Sequence, residues 1–133
     1  MRKLVIPLAA IVLISATLPS VAGPAQDKIL QHFQEQTKVK FSAERGRVLF
    51  SKRHGTGKPK LPSCTICHTK SPLNSGKTRV GKRIAPMALS RSKDRYSDLK
   101  KVEKWFRRNC KGVIGRECTS QEKGDFLTFM MSK

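Results

Sequence analysis

Cys64 and Cys67 stand three positions apart and His68 follows at once. This Cys-Thr-Ile-Cys-His run constrains the chain more than any other feature. Two thiols at that spacing match the separation of the two vinyl groups of a haem, so each can add to a vinyl and form a thioether. The adjacent imidazole then falls beneath the ring and offers a nitrogen to the iron from one face. Two other chemistries use a Cys-x-x-Cys pair. A thioredoxin-like dithiol wants a strand before it and a helix after it, whereas both flanks here are rich in proline and glycine. A structural zinc site wants a second closely spaced ligand pair, yet seven residues separate Cys110 from Cys118. One covalent haem c (iron included), held by Cys64, Cys67 and His68, is the expectation.

The amino end fits an export signal. Arg2 and Lys3 precede an almost unbroken apolar run from Leu4 to Leu18, and small residues follow at Ser20 and Ala22. Cleavage is expected after Ala22, with Ala25 as the second choice. The alternative, a retained anchor, is weakened because the run falls short of the ~20 residues that span a bilayer. The expected division is a signal peptide at 1–22, a helical extension at 23–40 and a monohaem domain at 41–133, in a periplasmic protein. A chain of this length forms one domain with a modest core.

Removing Arg2 and Lys3 from the 28 basic residues leaves 26 against nine acidic ones, a net charge of +17. Such a surplus favours an anionic partner and speeds encounter at low salt. Export and the single Trp and Tyr beside six Phe argue against nucleic acid. An acidic redox partner or an anionic membrane surface is the expected counterpart. Export also makes disulfides available. Cys110 and Cys118 are then free to pair across a loop containing Gly112 and Gly115. A structural bridge is expected, and a redox-active one is the minor alternative.

Four helices are legible. One runs from Ala25 to about Gln36, with Ile29, Leu30 and Phe33 on one side. A second is capped by Ser42 and runs from Ala43 to about Ser51, with Gly46 and Phe50 four apart on one face. Asp98 caps a third, Leu99 to about Cys110, whose apolar arc holds Leu99, Val102, Trp105, Phe106 and Cys110. Thr119 and Glu122 form a capping box for the last, which runs to about Met131 with Phe126, Leu127, Phe129 and Met130 on its apolar side. That side is a plausible partner for Gly46 and Phe50. Residues 54–63 read as a loop, and 69–97 as a long irregular stretch that needs an object such as haem to wrap around.

Asn109 is the local anomaly, because it falls between Trp105 and Val102 inside the apolar arc. There its amide must be satisfied by iron or by a backbone carbonyl. It joins Met87, His54, His32 and the lysines as a candidate for the iron's sixth position. Met87 follows a proline, as an ordinary electron carrier would place its ligand, and could equally pack over the haem edge. The pattern leaves Met87 and Asn109 level.

The segment Thr78-Arg79-Val80-Gly81-Lys82-Arg83-Ile84-Ala85-Pro86-Met87 closely resembles the sphaeroides haem protein family. So do Val102-Glu103-Lys104-Trp105-Phe106-Arg107-Arg108-Asn109-Cys110 and Val113-Ile114-Gly115-Arg116-Glu117-Cys118-Thr119. With Ala43–Arg47 and the attachment motif, the likeness covers nearly all the chain from Phe41 onward. It implies an all-α, class I cytochrome c-like fold. It further implies that Asn109 binds ferric iron opposite His68 and leaves on reduction, opening a site for oxygen, nitric oxide or carbon monoxide. The implied electron partner is a dihaem cytochrome c, with a membrane cytochrome b nearby. The family tends to carry leucine where Met87 stands. Trp105, one turn before Asn109, would shape the distal pocket or pack against the porphyrin. The expected function is therefore a ligand-binding cytochrome rather than a dedicated enzyme. The alternatives are a plain electron carrier with His68/Met87 ligation and a small reductase of oxygen, peroxide or nitrogen oxides.

Overall fold

A computed structural model describes residues 22–133, so the expected export signal lies outside the described residues except at Ala22. The elements run α1 (Pro24–Gln34), α2 (Ala43–Ser51), α3 (Thr65–His68), β1 (Gly76–Lys77), β2 (Arg83–Ile84), a 3-10 turn (Leu89–Arg91), α4 (Leu99–Val113) and α5 (Ser120–Met131). The two strands form one antiparallel hairpin, with Gly76 opposite Ile84. No helix among the described residues is long and apolar enough to cross a membrane.

Local chemistry sets the helix starts. The Ser42 hydroxyl accepts from the Arg45 amide and Asp98 accepts from the Lys101 amide. Thr119 and Glu122 close a reciprocal capping box at the start of α5. Helix α4 continues three residues past Cys110, because Gly112 and Val113 are buried and hold the extra turn against neighbouring chain. The 69–97 stretch is better ordered than its composition suggests, holding the hairpin, the 3-10 turn and several hydrogen-bonded turns.

Helix α5 is central. On one side α2 crosses it so closely that a Cβ at Gly46 would collide with the Asp125 carbonyl and approach the Phe129 Cβ at 2.8 Å. Phe50, one turn on, packs its ring against Phe126 and Phe129 at 6.2 and 6.0 Å between centroids. The buried Asp125 carboxylate sits at this crossing. It accepts from Arg45 Nε at 2.7 Å, from the Ser42 amide at 2.7 Å and from Gln121 at 3.0 Å. Its several donors make burial of the charge tolerable. On the other side of α5, Ile29 and Phe33 of α1 join Leu89, Val102, Leu127 and Met131 in a buried cluster. Lys123 seals this junction, pairing with Glu103 at 2.5 Å and lying over the Phe33 ring.

The Gly46 contact is backbone on backbone, so the helices must separate to admit a methyl group. Gly46→Ala is expected to cost about 1–3 kcal/mol of unfolding free energy, read by urea denaturation. A loss below about 0.5 kcal/mol would contradict the packing described.

Candidate haem site

The motif is held from two directions. Ser63, buried beside it, bonds the Thr65 hydroxyl at 2.9 Å, and its Oγ accepts from the Thr65 amide at 3.2 Å. The same hydroxyl reaches the Phe50 and Ser51 carbonyls at 3.4 and 3.5 Å, tying the turn to the end of α2. Helix α3 then carries Cys64 as its N-cap, Cys67 and His68, and stops at Thr69 with φ +63°. Ser63 and Thr69 escaped the sequence reading. The only signal for Ser63 was a hydroxyl one residue before the motif, where it can cap a short turn.

The second tether is the disulfide. Cys110 in α4 is bonded to Cys118, just before the α5 cap. The loop between them receives the loop that leads into the motif. Lys58 donates its amide to the Gly112 carbonyl at 2.8 Å and the Thr56 hydroxyl donates to the Ile114 carbonyl at 2.6 Å. Gly115, at φ +83°, lies against the Thr56 carbonyl, where a side chain has no room. Cys110, Val113, Ile114 and Cys118 form a cluster against which Cys64, Leu61, Leu49 and Phe106 pack. The packed face of α4 therefore meets the first motif cysteine.

The expected arc of α4 faces the core at Leu99, Val102, Phe106 and Cys110, but its edge at Trp105 and Asn109 is left exposed by the described chain. Trp105 is 50% exposed, with Arg108 over its ring at 5.6 Å. The Asn109 side chain makes no hydrogen bond among the described residues. An exposed carboxamide and a half-exposed indole thus stand one turn apart on α4.

Met87 is buried with Phe50, Phe129 and Met130, in a cluster that Cys64 and Tyr96 also touch. The Tyr96 hydroxyl donates to the Met87 carbonyl at 2.7 Å, and Arg95 donates to the Pro86 and Ala85 carbonyls. Burial raises the Tyr96 phenol above its ordinary range. Neither of the other histidines is gathered into the site. His54 is half-buried, its Nε2 at 3.0 Å from the Leu49 carbonyl, rather than free in solvent. His32 bonds Gln36 along α1.

His68 suits an iron ligand. Burial, reinforced by the Arg95 charge, pushes its imidazole down to about 4, so it is neutral at ordinary pH and keeps a lone pair free. Its Nδ1 is enclosed with no hydrogen-bond partner among the described residues, which leaves Nε2 as the nitrogen not sealed by protein. Cys64 and Cys67 are free thiols, and burial pushes Cys64 up to about 11. No cluster of three or more His, Cys, Asp or Glu suited to a metal ion exists among the described residues, so the zinc alternative lacks a ligand set.

Comparison with known proteins settles the family. Residues 36–130 match a family model described as a domain of unknown function, DUF1924. The cytochrome c-type protein SHP of Cereibacter sphaeroides is 44% identical over 126 residues, spanning 91% of this chain and 96% of that protein. The chain belongs to this family of c-type cytochromes. The solved structure of oxidised SHP, described as an oxygen-binding cytochrome c, superposes with a TM-score of 0.79 at 42% identity. That match covers 81% of this chain and 96% of the other. Cytochrome c'' of Methylophilus methylotrophus is 34% identical over 89 residues, 66% of this chain and 62% of that protein. Its oxidised crystal structure superposes with a TM-score of 0.70 at 27% identity, over 82% of this chain and 94% of that one. The expected all-α cytochrome fold is thus met, and the family's cofactor is covalent haem c. The residues described above fit it: two free thiols, a neutral histidine with one open nitrogen, and an indole without full cover.

Two outcomes follow. Replacing Cys64 and Cys67 together by serine leaves no thioether, so acidified organic solvent should extract all haem from the variant and none from the parent. Replacing Cys110 and Cys118 by serine should cost about 2–3 kcal/mol in urea denaturation, because a short closed loop is released in the unfolded chain. An unchanged denaturation midpoint would count against the clamp.

Proposed function

We propose that this protein is a periplasmic monohaem cytochrome that accepts electrons and, once reduced, binds oxygen or another small diatomic ligand. When bound, the haem would supply a one-electron couple and an iron able to take protein and gas ligands. Cys64 and Cys67 would hold it through thioethers and His68 would offer Nε2 to the iron. Asn109 would be a further ligand in the oxidised state.

The observation that carries the reading is the state of Asn109: exposed, unbonded, and one residue before the disulfide cysteine whose cluster includes Cys64. A neutral amide oxygen is a hard, weak donor, better suited to ferric than to ferrous iron. An exposed side chain with no hydrogen bond turns away without breaking one, whereas the disulfide and the 56–58 tethers keep α4 itself in place. The backbone stays fixed and only the amide swings. That division of labour suits a site gated by reduction. The description of SHP as an oxygen-binding cytochrome c supports the ligand-binding part of this reading.

Met87 is the rival ligand, since its cluster also touches Cys64. Enclosure by Phe50, Phe129 and Met130 favours packing as its role. The electron source in this reading is an acidic redox protein, a dihaem cytochrome c by family resemblance, with a membrane cytochrome b behind it.

Absorption spectra of both oxidation states, with and without carbon monoxide, test the proposal. The reduced protein should bind carbon monoxide rapidly and the ferric spectrum should lack a sulfur-to-iron band. Asn109→Ala should retain covalent haem and change the ferric spin state. A persistent methionine band, lost in Met87→Leu, together with no carbon monoxide binding, would establish the plain carrier instead.

A further inference from the structure

Charge is distributed unevenly along the chain. From Arg45 to Lys93 there are 49 residues with thirteen lysines and arginines and no acidic residue at all. The folded protein does not compensate. Its ion pairs join Arg45, Arg47 and cations of α4, α5 and the loop between them to Glu44, Asp98, Glu103, Glu117, Glu122 and Asp125. Among the described residues, none of the eleven cations from Lys52 to Lys93 is paired with a carboxylate. That segment contains the attachment motif.

Within it, the β1–β2 hairpin has the form of a contact element. Its turn is closed by three hydrogen bonds: Thr78 amide to Lys82 carbonyl at 2.8 Å, Gly81 amide to Thr78 carbonyl at 2.9 Å, and Lys82 amide to Thr78 hydroxyl at 3.1 Å. At the tip Val80 is 91% exposed, flanked by Lys77, Arg79, Lys82 and Arg83. Arg83 is already oriented, its guanidinium donating to Ser75 at 2.9 and 3.2 Å. The base of the hairpin rests on the motif, since a Cβ at Gly76 would collide with the Cys67 carbonyl and come within 3.0 Å of the His68 Cα.

We propose that this hairpin is the docking element for the acidic face of an electron-donating protein, with Val80 as its apolar centre. The proposal rests on the electron-accepting function above and names the surface that serves it. An apolar side chain ringed by cations suits a brief, steered encounter: opposite charge accelerates approach and a small desolvated centre fixes orientation. A partner seated there is separated from Cys67 and His68 only by the two-strand hairpin. An anionic lipid surface is the less suitable occupant, because stable interfacial binding needs a broad apolar face and the hairpin tip offers one valine.

The test uses the holoprotein and reduced flavodoxin, an acidic electron carrier, as probe. Each productive encounter passes one electron from the reduced flavin to the oxidised protein, followed by absorbance in stopped flow. A variant with Lys77, Arg79, Lys82 and Arg83 all changed to Gln is compared with one in which Lys28, Lys38, Lys40 and Lys100 are changed. The two lose equal charge, and the second set is exposed and without a carboxylate partner among the described residues. The hairpin variant should react at least about tenfold more slowly at low ionic strength, with a flattened salt dependence, and the control variant less than about threefold more slowly. Reduction by a neutral hydroquinone, and the spectra, should be the same for parent and variants. Equal slowing of both variants overturns the hairpin assignment while leaving electron acceptance intact. A parent reduced by neither donor overturns the electron-accepting reading, and this inference with it. Hairpin-dependent co-sedimentation with phosphatidylglycerol vesicles, without any effect on the flavodoxin reaction, overturns the protein partner in favour of lipid.

Discussion

Helix α2 can lie on α5 only because Gly46 has no side chain, and much of the site depends on that crossing. With the backbones this close, Arg45 and the Ser42 amide reach the buried Asp125 carboxylate and Phe50 fills the space beside Phe126 and Phe129. Fixing Phe50 also fixes the carbonyls of Phe50 and Ser51, to which Ser63 is bonded. Ser63 in turn caps the turn that displays Cys64, Cys67 and His68. A steric absence in one helix is thereby passed on to the position of the motif.

The disulfide governs the other side. It joins the last turn of α4 to the start of α5, and its loop holds residues 56–58 by hydrogen bonds. The chain entering the motif and the helix carrying Asn109 are therefore parts of one tethered unit. In the function proposed above, Asn109 would leave the iron by side-chain rotation while the disulfide holds its helix in place. The surface charge follows a related separation of roles. Carboxylates hold helices together, as Asp125, Glu103 and Glu122 do, and the motif-bearing segment from Lys52 to Lys93 is left cationic.

Much of this was legible in the residues. Ser42, Asp98 and Thr119 announced their helix starts because capping depends on a few adjacent atoms. Gly46 and Phe50 announced a helix contact, and the apolar side of α5 announced its partner. The 3.6-residue period misplaced Asn109 because an arc drawn on a helical wheel does not say where its edges meet solvent. That is decided by the neighbours of α4, which bury Val102 and Cys110 and leave Trp105 and Asn109 at the rim. The hairpin was missed because two-residue strands carry no alternation to detect.

By itself, then, the sequence determined the covalent chemistry: two thiols and an imidazole at fixed spacing act through bonds that span only a few residues. It also determined the helix starts, the net charge and the family likeness, all local or additive properties. Only the tertiary structure decided which face of α4 is open, that Met87 is enclosed with Phe50 and Phe129, and that the cations from Lys52 to Lys93 find no carboxylate among the described residues. Those properties depend on which distant segments come into contact, and burial and pairing exist only once they have done so.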